Sequence, residues 1–263
     1  MTRLSSYSCN YPEFAIERAD GVVHLRFHSG GKAFCWAAGA HRLLGDALQD
    51  IDSDPENRVL LLSGTGDDYC GSIDLSSFKG IGWDVITWEG KRYISALLNL
   101  EIPVIAAIHG RCTVHAEIPL ISDIVLASKT AVLGDSTHFR RDVVPGDGSH
   151  VLWTTLLGPN RGRYLLFAEE LLTAAQAYDL GIVGEVLEKD ALMTRAWELA
   201  RRIASKPSVV ARNTRAALIR PIKAAFDDSL AFGLALQGAA YGNRPHRGEI
   251  PVEPDTPVEK GGR

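Results

Sequence analysis

The sequence predicts an α/β fold, on three observations. Short, continuously apolar runs such as Val59 to Ser63, Val104 to Ile108 and Asp123 to Ala127 have the length and composition of buried strands. Longer segments with apolar residues at helical spacing alternate with them. Glycine, histidine and aspartate collect beyond the strand ends, at Gly110, His115, His138 and Asp147, where α/β proteins gather their polar chemistry.

The chain of 263 residues has room for one or two domains, and a composition 46% hydrophobic is ample for a large core. A net charge of -4 offers no general attraction to nucleic acid or to an anionic membrane. The four cysteines, Cys9, Cys35, Cys70 and Cys112, show neither CxxC nor Cys/His metal spacing, which predicts free thiols and a reducing setting. The N-terminus lacks a basic segment followed by an apolar one, and no apolar run approaches the roughly 18 residues of a membrane span. A cytoplasmic protein is expected.

In chain order, Phe14 to Arg18 and Val22 to Phe27 bracket Asp20-Gly21, a turn pair that tolerates positive φ, and predict a hairpin. His28 to Gly39, rich in glycine and small residues, leads into a helix over Ala40 to Ile51 and then the strand Val59 to Ser63. Trp36 lies in this first loop, where a tryptophan is ordinarily a packing residue. Gly64 to Gly82 is a glycine-rich loop that can present backbone N–H groups to an oxyanion, although it contains neither a Walker motif nor GxGxxG. Trp83 to Asn99 is an amphipathic helix. After the strand Val104 to Ile108 and the turn at Gly110 come His115, a helix whose first turn holds Glu117 and Pro119, and the strand Asp123 to Ala127. His138 and Asp147 follow in a loop.

Val151 to Leu157 and Tyr164 to Phe167 are apolar helix pieces joined by GPNRGR. Ala174 to Leu180, GIVGEVLEK and Ala191 to Ala204 then predict helix, short strand, helix. Lys206-Pro207 breaks the chain before two further helices, Ser208 to Leu218 and Ile222 to Ala240, and Asn243 to Arg263 has the composition of a mobile tail. The organisation expected is a core over 1–205, a helical region over 206–242 and a tail over 243–263.

Among these residues His138 has the clearest chemistry. An imidazole with an unperturbed pKa near 6.5 can take a proton from water at neutral pH far better than an ordinary carboxylate. It needs an orienting partner, and Asp147, nine residues on, is the candidate. His41, His109 and His150 stand at helix starts or a strand end, where a satisfied structural histidine is the commoner case. Asp135 and His138 are three apart and could share a metal, but no third ligand has suggestive spacing, so no metal site is expected.

IPVIAAIHG, EIPLISDIVLAS and GDDYCGSIDLSSF resemble the crotonase (enoyl-CoA hydratase/isomerase) superfamily, from roughly Phe14 to Tyr241 and including ASKPSVVARNTRAALI. Within it, Trp36 in AFCWAAGAH, together with VHAEIP, DSTHF and VPGDGSH, is more similar to 6-oxocamphor hydrolase and related β-diketone hydrolases. The resemblance implies a crotonase-like ββα superhelix whose last helices cover a pocket, assembled as a homotrimer or a dimer of trimers.

The same resemblance implies site residues. Trp36 would line the pocket and donate its indole N–H to a substrate carbonyl; Ile73, before Asp74, would supply an oxyanion-hole amide. The glycines usual after the Gly110-type turn are replaced here by Cys112 to Ala116, and His115 becomes the donor to a carbonyl. Glu117 falls where hydratases place one catalytic glutamate. His138, seven residues before Pro145, replaces the other. Gln237 stands where the diketone hydrolase has a glutamate.

The reaction implied is hydrolysis of a carbon-carbon bond in a small cyclic β-diketone, with no cofactor and with His138 and Asp147 activating water. An acyl-CoA hydratase, isomerase or hydrolase is the alternative, and a non-catalytic binding protein on the same fold a third.

Overall fold

The computed structural model describes residues 3–242. The tail expected over 243–263 lies outside the described residues.

After a short helix, α1 (Leu4–Tyr7), the hairpin forms as expected. β1 (Phe14–Ala19) and β2 (Val22–Phe27) pair antiparallel, with Asp20 and Gly21 at φ of 54° and 76° in the turn. Then follow β3 (Cys35–Trp36), α2 (Ala40–Ser53), β4 (Val59–Ser63), β5 (Ser72–Ile73), α3 (Trp83–Asn99), β6 (Val104–Ile108) and β7 (Arg111–Cys112). Next are α4 (Glu117–Leu120), β8 (Ile124–Ser128), β9 (Val132–Leu133) and α5 (Ser149–Phe167), and after them β10 (Leu172–Thr173), α6 (Ala174–Asp179), β11 (Glu185–Leu187), α7 (Lys189–Ala204) and α8 (Ser208–Gly242).

Six strands form one sheet in the order β1-β2-β4-β6-β8-β11, parallel throughout except for the first hairpin. β4 and β6 are buried along their whole length, which explains their unbroken apolar sequences. One sheet face, with Val22, Val59, Leu61, Ile105 and Leu126, packs on Leu192, Ala196 and Leu199 of α7. The other contributes Leu25, Leu60, Leu62, Val104 and Ile108 to the larger core, together with Leu44, Leu48, Tyr93 and Leu97 of α2 and α3. The strands β3, β5, β7, β9 and β10 are two residues each, too short for periodicity to announce them. They matter for the site, because β3 and β5 pair Trp36 with Ile73.

The C-terminal region corrects the sequence expectation of two helices. α8 is a single helix of 35 residues that runs through Pro221. A proline inside a helix removes one hydrogen bond and costs about 3 kcal/mol. Here Pro221 is exposed, and a buried stripe of Ile219, Phe226, Leu230 and Leu234 continues on both sides of it. Arg215 anchors the first half, bonding Asp123 at 2.9 Å and the carbonyls of Leu97 and Leu100. In α5, by contrast, Gly158 leaves helical geometry at φ 75° beside Pro159, so the two expected pieces meet at a kink.

Candidate active site

His138 is buried, and a carboxylate meets each of its ring nitrogens. Nδ1 lies 2.7 Å from Asp135 Oδ2, and Nε2 lies 3.0 Å from Asp147 Oδ2. The loop that presents it is tied down locally. Asp135 Oδ1 accepts the backbone N–H groups of Thr137 at 3.0 Å and His138 at 3.1 Å, and Ser136 bonds Thr113 through its backbone and hydroxyl. The expected partner Asp147 is therefore present, but the nitrogen it meets is one of two. The carboxylate on the other was not foreseen in a catalytic setting. Its only sequence signal is the three-residue spacing in DSTH, which suits a metal pair as well as a hydrogen bond.

Burial alone would push the His138 imidazolium towards neutrality. Asp135 and Asp147 outweigh it and hold the ring's pKa well above the ordinary histidine value. Burial likewise opposes ionisation of both aspartates, yet the His138 charge keeps each below the usual carboxylate range; His115 and His41 add to the effect on Asp147. These opposed shifts favour an imidazolium between two carboxylates.

A second cluster adjoins the first. His115 Nδ1 lies 2.6 Å from Glu117 Oε1, the Tyr93 hydroxyl donates to the same oxygen at 2.7 Å, and Asp147 Oδ2 stands 3.9 Å from His115 Nδ1. Burial lowers the His115 pKa, but Glu117 and then Asp147 raise it more, so the net shift is upward. His115 has φ 50°, the left-handed conformation that glycine adopts freely. Holding a side-chain-bearing residue there costs about 1–3 kcal/mol. The Glu117 bond and a tilted ring contact with Trp36, centroids 4.0 Å apart, oppose that cost. The histidine that replaces the expected glycines thus keeps a glycine-like backbone turn.

Trp36 is 1% exposed, and its Nε1 has no hydrogen-bond partner in the protein. Asp147 Oδ1, Glu117 Oε2 and Gln237 Oε1 are likewise buried and unpartnered. Buried polar groups are nearly always satisfied, and three of these four belong to the two clusters or stack on them. Ile73 lies beside Trp36 across the β3–β5 pair, and the amide of the next residue, Asp74, donates to the Trp36 carbonyl at 2.8 Å. Gln237 reaches the region from α8, its Cβ close to Gly146.

His41 corrects its sequence reading in part. It is a core histidine, but it lies against Trp36, Tyr93 and His115 with ring centroids 5.0 to 5.3 Å away. Burial, reinforced by the His115 charge, lowers its pKa to about 3, so it is a neutral wall of the site. Tyr93, on the apolar face of α3, is the hydroxyl that joins His115 and Glu117. His150 and His109 remain structural: the ring nitrogens of His150 lie 2.9 Å from the Pro145 carbonyl and 3.3 Å from that of Ser229, and His109 Nε2 lies 3.1 Å from the Gly66 carbonyl.

The Asp135–His138 pair gains no third metal ligand among the described residues, but the fold gathers a different trio that sequence spacing did not reveal. His115, Glu117 and Asp147 each offer an atom within 4.8 Å of the others. However, His115 Nδ1 and Glu117 Oε1 are 2.6 Å apart. Two ligands about 2.0 Å from a tetrahedral zinc would stand about 3.3 Å apart. The pair is spaced for a hydrogen bond, and a cation would have to break it and displace the Tyr93 hydroxyl.

α8 closes over these groups at a point where only glycine fits. A Cβ on Gly146 would sit 2.1 Å from the Gly233 carbonyl oxygen and 2.9 Å from Gln237 Cβ. Gly146→Ala should therefore push the second half of α8 off the site. The expected result is a stability loss of about 1–3 kcal/mol in denaturant unfolding, with a larger proportional fall in turnover, and unchanged stability would contradict the close contact.

The sequence matches the family description enoyl-CoA hydratase/isomerase over residues 17–244. It is 29% identical over 194 residues to the short-chain-enoyl-CoA hydratase of Clostridium acetobutylicum, an alignment covering 70% of this chain and 72% of that protein. Among solved structures, a beta-diketone hydrolase from the cyanobacterium Anabaena sp. PCC 7120, bound to (S)-3-oxocyclohexyl acetic acid, is 40% identical with a TM-score of 0.85, covering 90% of this chain and 96% of that one. An enoyl-CoA hydratase/isomerase from Mycobacterium paratuberculosis shares the fold at 20% identity and a TM-score of 0.81, covering 87% and 93%. With its parallel sheet, its covering C-terminal helix and a family match over most of its length, the chain belongs to the enoyl-CoA hydratase/isomerase family, the crotonase superfamily.

Proposed function

We propose that the protein hydrolyses a carbon-carbon bond in a small cyclic β-diketone by a retro-Claisen reaction. One observation carries this reading: the buried His138–Asp147 pair, at 3.0 Å, shares a site with a buried Trp36 N–H that no protein acceptor takes. Water adds through its oxygen to one carbonyl carbon while its proton passes to the His138–Asp147 pair. Trp36 Nε1 and His115 hold carbonyl oxygens as charge develops. The carbon-carbon bond then breaks, its electron pair entering the second carbonyl as an enolate, and the proton returns to that carbon. The balance closes with one water added and no redox change. A β-dicarbonyl is required because an isolated ketone would leave as an unstabilised carbanion. The likeness to the Anabaena hydrolase supports the assignment, since the keto acid bound there is the kind of product such a ring opening leaves.

The proton-accepting form of His138 is the neutral ring, and the two flanking carboxylates keep the ring protonated to well above the ordinary 6.5. The sign follows directly: below the raised pKa the base is blocked, above it the base is free. kcat/KM should rise with pH through an ionisation above 6.5, measured as a pH–rate profile. A profile flat from pH 6 to 9 would contradict this.

The acyl-CoA reading is favoured by the Glu117 carboxylate, buried with Oε2 unpartnered, and by the hydratase relatives. A mass-spectrometric assay on cyclic β-diketones and crotonyl-CoA, with His138→Ala as control, separates the two. Gain of one water on a diketone, absent in the variant, supports hydrolysis; turnover of crotonyl-CoA alone supports the hydratase; binding without turnover leaves the non-catalytic reading. A homotrimer or dimer of trimers is proposed for the assembly, to be checked by sedimentation. Among the described residues no helix is long and apolar enough to cross a membrane.

A further inference from the structure

We propose that Asp135 is the positioning residue of the site: by accepting the Nδ1–H of His138 it fixes the tautomer that leaves Nε2, on the Asp147 side, as the atom that exchanges protons. The two aspartates flanking the ring are not equivalent. Asp135 is fully engaged. Its Oδ2 takes Nδ1 at 2.7 Å, and its Oδ1 accepts the Thr137 amide at 3.0 Å, the Thr137 hydroxyl at 3.1 Å and the His138 amide at 3.1 Å. Three contacts on Oδ1 and one on Oδ2 hold this carboxylate against turning and commit both of its oxygens to its own loop. Asp147 has one oxygen on Nε2 and the other, Oδ1, buried without a partner. It is the aspartate with an acceptor to offer. Both ionised carboxylates accept from the imidazolium, but Asp135 is held by three further donors and keeps the Nδ1–H, whereas Asp147, with Oδ1 free of protein partners, is on the side where the proton leaves.

The charged and titratable groups around the ring agree with this division. Asp135 comes from the ring's own loop and Asp147 from the segment after Pro145. His115 and Glu117 face it from the start of α4, with Tyr93 of α3 and the neutral His41 of α2 behind them. Among the described residues Nδ1 also has the Thr137 hydroxyl at 3.2 Å, which itself donates to Asp135.

The test is nitrogen NMR of protein labelled with 15N-histidine, the His138 signals assigned by their loss in His138→Gln. In the wild type the neutral ring should carry its proton on Nδ1. In Asp135→Asn the amide NH2 replaces an acceptor with a donor, so the neutral ring should switch to Nε2–H and its protonation midpoint should fall by at least one pH unit, a tenfold weaker proton affinity. The wild-type spectrum decides the tautomer even if the variant does not fold. A wild-type neutral ring protonated on Nε2 overturns the proposal, as does a folded Asp135→Asn protein with unchanged tautomer and midpoint.

A kinetic arm rests on the diketone hydrolase reading: kcat should fall about 10²-fold or more in Asp135→Asn with KM nearly unchanged, as for a base held in the wrong tautomer. If the wild type turns over no diketone while the NMR result holds, that reading fails and the role of Asp135 stands. If the wild type hydrolyses a diketone and the variant matches it in kcat and tautomer, the role of Asp135 alone fails.

Discussion

His138→Ala should lower kcat for the proposed diketone hydrolysis by about 10³-fold while leaving KM within a few-fold, because a positioned general base, the role proposed for His138, contributes roughly 10²–10⁴ to a rate and little to ground-state binding. The substitution also removes the cation between Asp135 and Asp147, whose oxygens lie 2.7 and 3.0 Å from the ring. Breaking a buried ion pair from one side costs about 3–5 kcal/mol, so the variant should unfold at lower denaturant. The pH dependence of that loss has a definite sign. Both carboxylates have pKa values depressed by His138 in the folded protein, so their contribution is present above the ordinary carboxylate range and lost as pH falls through the depressed values. The stability gap between wild type and His138→Ala should therefore be widest near neutral pH and narrow in acid. A variant that retains kcat, or whose instability is independent of pH, would show that His138 is a packing residue. His138→Gln, closer in volume, separates the chemistry from the packing if the alanine protein is too unstable to assay.

Much of this arrangement was legible in the sequence, for identifiable reasons. Strands β4 and β6 were clear because burial on both faces leaves a run with no polar interruption. Helix α3 was located to the residue because a glycine stands before it and its apolar face is periodic. The two-residue strands were not legible, because their pairing is decided by partners far along the chain. Pro221 acts for a related reason: local chemistry argues for a helix end, and only the buried stripe that α8 itself carries across it overrules that. In the site, His138, His115, Glu117, Trp36 and Asp147 were nominated by residue type and by resemblance, and the structure gathers them. Asp135 and Tyr93 were missed as site groups because their significance lies in what they touch. An aspartate three residues before a histidine and a tyrosine on an amphipathic helix are unremarkable as sequence. His41 was placed correctly in the core, but sequence does not report which other rings it meets.

Trp36→Phe should reduce kcat by about 10²-fold, the cost typical of losing one oxyanion donor, with little loss of stability. The two effects separate because the substitution removes the indole N–H while keeping most of the ring's packing. Trp36 Nε1 is buried and has no hydrogen-bond acceptor within the protein. A buried, unpaired donor costs about 1–3 kcal/mol, so deleting it should be close to neutral for folding and could raise stability slightly, offset by the smaller volume of phenylalanine. In the transition state of the proposed hydrolysis the same N–H would face a carbonyl oxygen that is becoming an alkoxide, where a preorganised donor has its largest effect. The indole also supports the His115 ring at a centroid distance of 4.0 Å, and His115 holds a left-handed backbone that packing must maintain. Trp36→Ala would remove both functions and so cannot distinguish them; Trp36→Phe keeps the ring contact and tests the hydrogen bond alone. A phenylalanine protein with wild-type kcat and raised KM would assign Trp36 to substrate packing and leave charge stabilisation to His115. Lower kcat at unchanged KM and unchanged unfolding midpoint would identify the orphaned indole N–H as a donor held in reserve for the reacting oxygen.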